Sequence, residues 1–268
     1  MNYRRLGKTD ERISQIGMGT WRIGSSKEAA SREEQVAALR RGVGLGMNLI
    51  DTAEMYGSGK AEELVGEAIR EMRDRVFIAT KVWQTNLHRD GVISACEASL
   101  KRLGVAQIDL YQVHWPNPAV PIRETMSAME ELVRSGKVRH IGVSNFDARL
   151  TAEAQEALTR SEIASNQVEY SLANRGAEAS VLPYCRKEGV TLIAYSPLAR
   201  GSIPEVLARS DVVKRRGMTP AQAMLVWATR DEAVVAIPKA AKVSHVEENA
   251  ASADFGLSES EWKALAGA

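Results

Sequence analysis

Short apolar or β-branched runs alternate with longer amphipathic stretches along the whole chain. The runs fall at Gln15–Gly19, Met47–Ile50, Val76–Ala79, Ile108–Val113, Val138–Val143, Ala164–Val168, Thr191–Tyr195 and Ala233–Ile237. Between them, helical spacing of apolar positions predicts helices over Arg32–Val43, Ala61–Met72, Arg89–Leu103, Ile122–Ser135, Ala148–Leu158, Glu178–Glu188, Pro220–Thr229 and Ser244–Ala253. Strand–helix alternation implies a parallel sheet of the α/β class. Runs that are apolar without clean alternation imply strands buried on both faces. Eight such units in 268 residues predict one domain over residues 1–268, a closed (β/α)8 TIM barrel.

The punctuation fits. Gly104, Gly136 and Gly189 each lie just past an expected helix, where a left-handed residue ends it. Thr219-Pro220 reads as a helix start, and Pro121 as another. Residues 1–14, with Lys8-Thr9-Asp10 as the turn, read as an N-terminal β-hairpin closing the barrel bottom. Ser258–Ala268 reads as a C-terminal helix with Ser258 as N-cap and Glu261 three residues on.

Composition narrows the function classes. Hydrophobic residues are 44% and charged residues 26%, with 35 Lys+Arg against 34 Asp+Glu. That balance points to no nucleic-acid partner and no anionic membrane surface. No apolar run approaches the roughly 18 residues that cross a membrane, and Met1–Gly7 carries no signal-peptide core. Cys96 and Cys185 stand alone, outside any metal or redox spacing, and read as small buried hydrophobes. A cytoplasmic location is the expectation.

In a barrel of this type the chemistry gathers at the carboxyl ends of the strands. After the second run come Asp51 and Tyr56, the third ends at Thr80-Lys81, and the fourth at His114-Trp115. Neighbouring strands lie about 5 Å apart, so these side chains can converge. A buried Lys81 needs a counter-charge, which Asp51 can supply. A cation beside the Tyr56 phenol is expected to lower its pKa, fitting it to act as general acid toward a carbonyl oxygen and as base in reverse. His114 could donate a hydrogen bond that polarises the carbonyl. One His and one Asp are too few for a catalytic metal, so no metal is expected. Taken singly, each residue has a plainer structural reading; together they make a constellation.

At these positions the sequence resembles the aldo-keto reductase family. The carriers are Asp51-Thr52-Ala53-Glu54-Met55-Tyr56-Gly57, Glu67-Ala68, Ile78-Ala79-Thr80-Lys81, Ile108 through His114-Trp115, Ile141 through Phe146, Asn166 through Tyr170, Ala194 through Leu198, and Ile237-Pro238-Lys239. They occur in order from about Leu6 to Asn249. The resemblance implies an NAD(P)H-dependent oxidoreductase that reduces aldehydes or ketones by hydride transfer. Asp51, Tyr56, Lys81 and His114 would be its catalytic tetrad, with Tyr56 as proton donor.

The same resemblance implies the cofactor site, which lacks the G-x-G-x-x-G loop of other dinucleotide folds. Gly19, Thr20 and Trp21 would lie near the ribose and nicotinamide. Asp51, Ser144, Asn145 and Gln167 would surround the ring and carboxamide, with Tyr195 stacked on the ring. Ser196, Leu198 and Gly201 would line the pyrophosphate, and Ile237, Lys239, His245, Glu248 and Asn249 the adenosine end. Ala240 stands where the family often has a hydroxyl, and His245 where it often has an Arg. An Arg would grip a phosphate with two parallel hydrogen bonds and a neutral His cannot. NADPH is therefore expected, with NADH possible. Trp21, Trp83 and Trp115, with Tyr56 and His114, would line an apolar pocket for a small aldehyde, ketone or sugar. The charged segment Ser202–Arg216 would help choose that substrate. A monomer is expected, with an oligomer left open. Two other readings are a nicotinamide-binding regulatory subunit with slow turnover, and a lyase using Lys81 as a Schiff base; an Lys81 charged beside Asp51 argues against the second.

Overall fold

A computed structural model describes residues 1–266. Strands β1 (Tyr3–Arg5) and β2 (Arg12–Ser14) form a separate antiparallel hairpin, pairing Tyr3 with Ser14 and Arg5 with Arg12. The remaining strands are β3 (Met18–Gly19), β4 (Leu49–Asp51), β5 (Phe77–Val82), β6 (Ile108–Val113), β7 (Val138–Ser144), β8 (Ile163–Glu169), β9 (Thr191–Tyr195) and β10 (Val234–Ala236). They make one eight-stranded parallel sheet in strict sequence order, β3 to β10. The two edges meet. Ile16 bridges Ala236 and Gly19 bridges Lys239, both parallel, so the sheet is closed into a (β/α)8 barrel. At this seam a Cβ on Gly19 would lie 2.5 Å from the Ile237 carbonyl oxygen, so only glycine lets the edges approach.

Helices follow the strands: α1 (Arg32–Gly44), α2 (Lys60–Ile69), α3 (Arg89–Leu103), α4 (Ile122–Arg134), α5 (Ala148–Ala157), α6 (Val181–Glu188), α7 (Glu205–Arg209), α8 (Asp211–Arg216), α9 (Pro220–Ala228), α10 (Val243–Ala251) and α11 (Glu259–Ala266). Local chemistry sets their ends. Ser31 and Glu34 form a reciprocal capping box at the start of α1, and Thr219 and Gln222 another at α9, with Pro220 in its first turn. Gly104 and Gly189 end α3 and α6 at φ of 65° and 64°. Ser258 and Glu261 exchange hydrogen bonds before α11. The expected extension of that helix to Ala268 reaches two residues outside the described range.

Three expectations change in detail. The helix expected from Glu178 is a single 3-10 turn, Gly176–Ala179, followed by α6. The charged segment Ser202–Arg216 contains α7 and α8. Strand β5 runs past Ala79 to Val82, which takes Lys81 into the sheet ladder.

Strand alternation divides the interior into two cores. Ile50, Ile78, Tyr111 and Val113 point outward and pack under the helices. Leu49, Phe77, Ala79, Leu110, Ile193, Val235 and Ile237 point inward and pack with Leu6 and Ile13 of the hairpin, which plugs the bottom. The period of two then carries the same inward face upward. Two residues beyond Leu49 is Asp51; four beyond Phe77 is Lys81; two beyond Leu110 is Gln112. The barrel is apolar at the hairpin end and polar at the other.

Candidate active site

The polar end of the cylinder is built around one buried carboxylate. Asp51 Oδ1 accepts from Lys81 Nζ at 2.7 Å, and Oδ2 accepts from Gln167 Nε2 at 2.7 Å and Gln112 Nε2 at 3.5 Å. Lys81 also donates to the Thr52 carbonyl at 2.7 Å. Both charged side chains are closed to solvent. Burial lowers the Lys81 pKa, and the Asp51 carboxylate opposes that drop. The layer is tight: a Cβ on Gly142 would lie 2.5 Å from Ser165 Oγ and 2.9 Å from Gln112 Cγ.

Tyr56 and His114 lie over this pair. Tyr56 opens the 3-10 turn Tyr56–Gly59, where Gly57 and Ser58 take φ of 56° and 55°. Lys81 Nζ is 5.1 Å from the Tyr56 ring centroid. The Tyr56 and His114 rings meet edge to face at 5.7 Å, and Trp83 meets His114 in the same manner at 5.1 Å. His114 keeps a buried ring nitrogen, Nδ1, with no hydrogen-bond partner among the described residues. Burial, and then Lys81, pulls the imidazole down to about 3, so it is neutral and can serve as a hydrogen-bond donor.

One expectation is corrected here. Lys81 does not draw the Tyr56 phenol down. Burial, and then the Asp51 carboxylate, pushes it above its ordinary value. The ammonium charge is spent on Asp51, so the phenol remains firmly protonated, as a proton donor must be.

A second polar group adjoins the tetrad. Tyr195 Oη donates to Asn145 Oδ1 at 3.0 Å, and Asn145 Nδ2 donates to the His114 carbonyl at 2.9 Å. Asn145 sits at φ 62°, a left-handed conformation that Asn tolerates. Ser144 Oγ donates to the Gln167 carbonyl at 2.9 Å. Ser196 and Gly201 follow on positive-φ backbone, at 50° and 91°, while Leu198 packs on the outer core. Thr20 Oγ1 donates to the Asp51 carbonyl at 2.9 Å, tying the β3 loop to the tetrad.

The adenosine-end residues are less drawn together. Ile237 belongs to the inner core and Lys239 to the seam. Lys239 is ion-paired with Glu28. His245 is exposed in the first turn of α10, Asn249 is buried, and the Glu248 carbonyl accepts from Gln222 Nε2 at 3.1 Å. Of the three indoles, Trp83 meets the His114 ring edge to face. Trp21 and Trp115 are 46% and 41% exposed on the rim, and Arg22 lies over the Trp21 ring at 4.4 Å.

Sequence reading missed four participants. Glu54 Oε1 accepts from Trp83 N at 2.6 Å and from Asn86 Nδ2 at 3.0 Å, fixing the loop that carries Trp83. Buried Glu62 accepts from Thr80 Oγ1 at 2.5 Å and Arg102 Nε at 2.6 Å, tying α2 to β5 and α3. Gln112 and Glu28 are the others. Glu54 and Gln112 lie within the family-like motifs, which is the one signal the sequence offers for them. Among the described residues, no group of three or more His, Cys, Asp or Glu is placed to hold a metal ion. No described helix is long and apolar enough to cross a membrane.

The donor set suits a nicotinamide and a carbonyl. An amide cluster (Asn145, Gln167) and a half-buried aromatic ring (Tyr195) adjoin a neutral imidazole with a free nitrogen and a protonated phenol. Comparison with known proteins decides the family. Residues 15–268 match the family model described as "Aldo/keto reductase family". The chain belongs to the aldo/keto reductase family. It is 42% identical over 257 residues to the methylglyoxal reductase YeaE of Escherichia coli, covering 94% of this chain and 89% of that one. The crystal structure of the thermostable aldo-keto reductase Tm1743 with the inhibitor epalrestat superposes with a TM-score of 0.94 at 45% identity, covering 100% of this chain and 99% of that one. An aldo/keto reductase from Klebsiella pneumoniae, solved with NADP and acetate, superposes with a TM-score of 0.88 at 43% identity, covering 98% and 93%.

Proposed function

We propose that this aldo/keto reductase reduces small aldehydes, ketones or dicarbonyls with NADPH, and that Tyr56 is the general acid. The observation that carries the reading is the stack of a buried Lys81–Asp51 pair beneath a protonated Tyr56 whose ring meets a neutral His114. When bound, the nicotinamide supplies the hydride. The chain does the rest. Tyr56 Oη gives its proton to the carbonyl oxygen as negative charge develops there. The neutral His114 ring donates to the same oxygen and fixes its approach. Lys81 and Asp51 hold charge near the phenol without leaving any uncompensated in the barrel. Removing water from this mouth strengthens each of these interactions.

Asn145 and Gln167 offer amide donors and acceptors that match a carboxamide, and Tyr195 offers a ring face. Ser144, Thr20 and Gly19 bring the flanking backbone close. Ser196, Leu198 and Gly201 would pass along the pyrophosphate, and Lys239, with His245, Glu248 and Asn249 on α10, would meet the adenosine. The Klebsiella pneumoniae structure holds NADP, which supports the same choice here. Trp83, fixed by Glu54, gives the pocket an apolar wall beside His114, with Trp21 and Trp115 on the rim. The Escherichia coli relative is a methylglyoxal reductase, so a small dicarbonyl belongs in the first assay.

The test is a set of initial rates for NADPH and NADH oxidation across aldehydes, ketones, sugars and methylglyoxal. Steady turnover with at least one carbonyl class is expected. Tight nucleotide binding with no turnover on any of them would overturn the enzyme reading in favour of a regulatory nucleotide-binding role.

A further inference from the structure

Lys239 lies at the barrel seam, where its backbone bridges Gly19. Its ammonium is taken by Glu28 from the loop between β3 and α1, with side-chain exposures of 31% and 11%. The other Glu28 oxygen accepts from Ala30 N at 3.3 Å. The loop is itself pinned: Gly24 N donates to Gln35 Oε1 at 2.8 Å, and Gln35 Nε2 donates to the Ala30 carbonyl at 2.7 Å. Burial alone would raise the Glu28 pKa, but the hydrogen bonds and charge of Lys239, with the Ala30 amide, hold it below the ordinary carboxylate range. Glu28 is thus ionised and placed on Lys239 by a braced loop, not by a wandering side chain. Lys242 and His245 stand exposed nearby and take no ion pair among the described residues.

We infer that Glu28 sets the cofactor preference: it occupies Lys239 as an internal competitor for the adenosine 2′-phosphate, and so weakens selection of NADPH over NADH. This rests on the reading that Lys239 receives that phosphate. A phosphate monoester brings nearly two negative charges and three acceptor oxygens. To reach Lys239 it must displace the carboxylate or lie beside it, and the partial burial of the pair leaves that repulsion poorly screened. A ribose 2′-hydroxyl brings no charge. It can donate to a carboxylate that keeps its lysine, as acidic residues do in NAD-selective sites of other folds. Glu28 therefore handicaps one cofactor and tolerates the other.

The experiment is a fluorescence titration of the tryptophans with NADPH, NADH, 2′,5′-ADP and 5′-ADP. The proteins are wild type, E28Q, E28D, K239Q and E28Q/K239Q, each checked by circular dichroism. E28Q is expected to tighten NADPH and 2′,5′-ADP about tenfold while leaving NADH and 5′-ADP unchanged or weaker. E28D, which withdraws the carboxylate by one methylene, should show a smaller gain of the same sign, and it carries the test if E28Q folds poorly. In the K239Q background the E28Q gain for NADPH should shrink, because competition for the lysine has gone. Equal effects of E28Q on both cofactors, or no effect, would overturn the competitor role while a large K239Q penalty specific to NADPH kept the phosphate placement intact. A K239Q protein with an unchanged NADPH to NADH ratio would overturn the placement itself, and the inference with it.

Discussion

Lys81 Nζ and Asp51 Oδ1 meet at 2.7 Å with their side chains 0% and 2% exposed, inside the barrel wall rather than at its surface. Such a pair is costly to break one-sidedly, because the survivor remains charged and dry. Lys81→Met is expected to destabilise the fold by about 3–5 kcal/mol. Lys81→Met/Asp51→Asn should recover much of that, since no lone charge is left. Urea denaturation of the single and double variants decides it. A single variant within about 1 kcal/mol of wild type would show that water reaches the pair.

Tyr56 is expected to be dispensable for the fold and for nucleotide binding but not for turnover. Tyr56→Phe should lower kcat for carbonyl reduction by about 10²–10⁴-fold, the usual worth of a positioned acid, with cofactor affinity unchanged. Because burial and Asp51 hold the phenol above its ordinary value, the reductive rate should show no Tyr56 ionisation up to a pH of about 9. An undiminished rate in the Phe variant would remove Tyr56 from the chemistry.

His114 should remain neutral where free histidine titrates. Its pKa is pulled down to about 3, so its ring resonances should not shift between pH 5 and 8. The linkage has a definite sign. Below about pH 6.5 the unfolded chain takes up a proton that the folded chain refuses, so stability falls as pH drops from there toward 3. His114→Gln should flatten part of that decline. A ring that titrates near 6.5 by NMR would mean that the imidazole faces open water.

Glu130 offers a test away from the site. It accepts from the backbone N–H groups of Thr159, Arg160 and Ser161 and from the Thr159 hydroxyl. Burial would raise its pKa, yet these bonds bring it to about 2. Glu130→Gln should cost about 1–2 kcal/mol near neutral pH, after allowance for solvent screening. A depressed carboxylate stabilises above its unfolded pKa, so the difference should be full above about pH 4.5 and fade as pH falls toward 2. A difference that does not change with pH would mean that lost packing, not charge, is responsible.

The barrel was legible because its signals are local. Leu49 and Phe77 start strands whose period of two places Asp51 and Lys81 on the same inward face, and Gly104 and Gly189 stand where their helices end. Site residues in strands or in the turn just beyond, such as Tyr56 and His114, came with that register. What was missed acts across long separations. Glu28 and Lys239 are 211 residues apart, Gln112 and Asp51 are 61, and no periodicity links such partners. The direction of the Tyr56 shift has the same origin: the sequence shows Lys81 close by, whereas burial and the engagement of Lys81 by Asp51 are properties of the closed barrel.

The barrel seam bears on synthesis. The opening hairpin is stitched to the far end of the chain: Arg4 donates to the Thr229 carbonyl at 2.6 Å, Asn2 to the Ala253 carbonyl at 2.9 Å, and Ile16 bridges Ala236. A ribosome delivers one side of each contact first and the other last. Until residues beyond Val234 leave the exit tunnel, the growing sheet has two raw edges, and one of them waits through most of translation. An incomplete product stalled before that point would carry both edges unprotected, which makes it a candidate for pairing with its neighbours and for capture by chaperones.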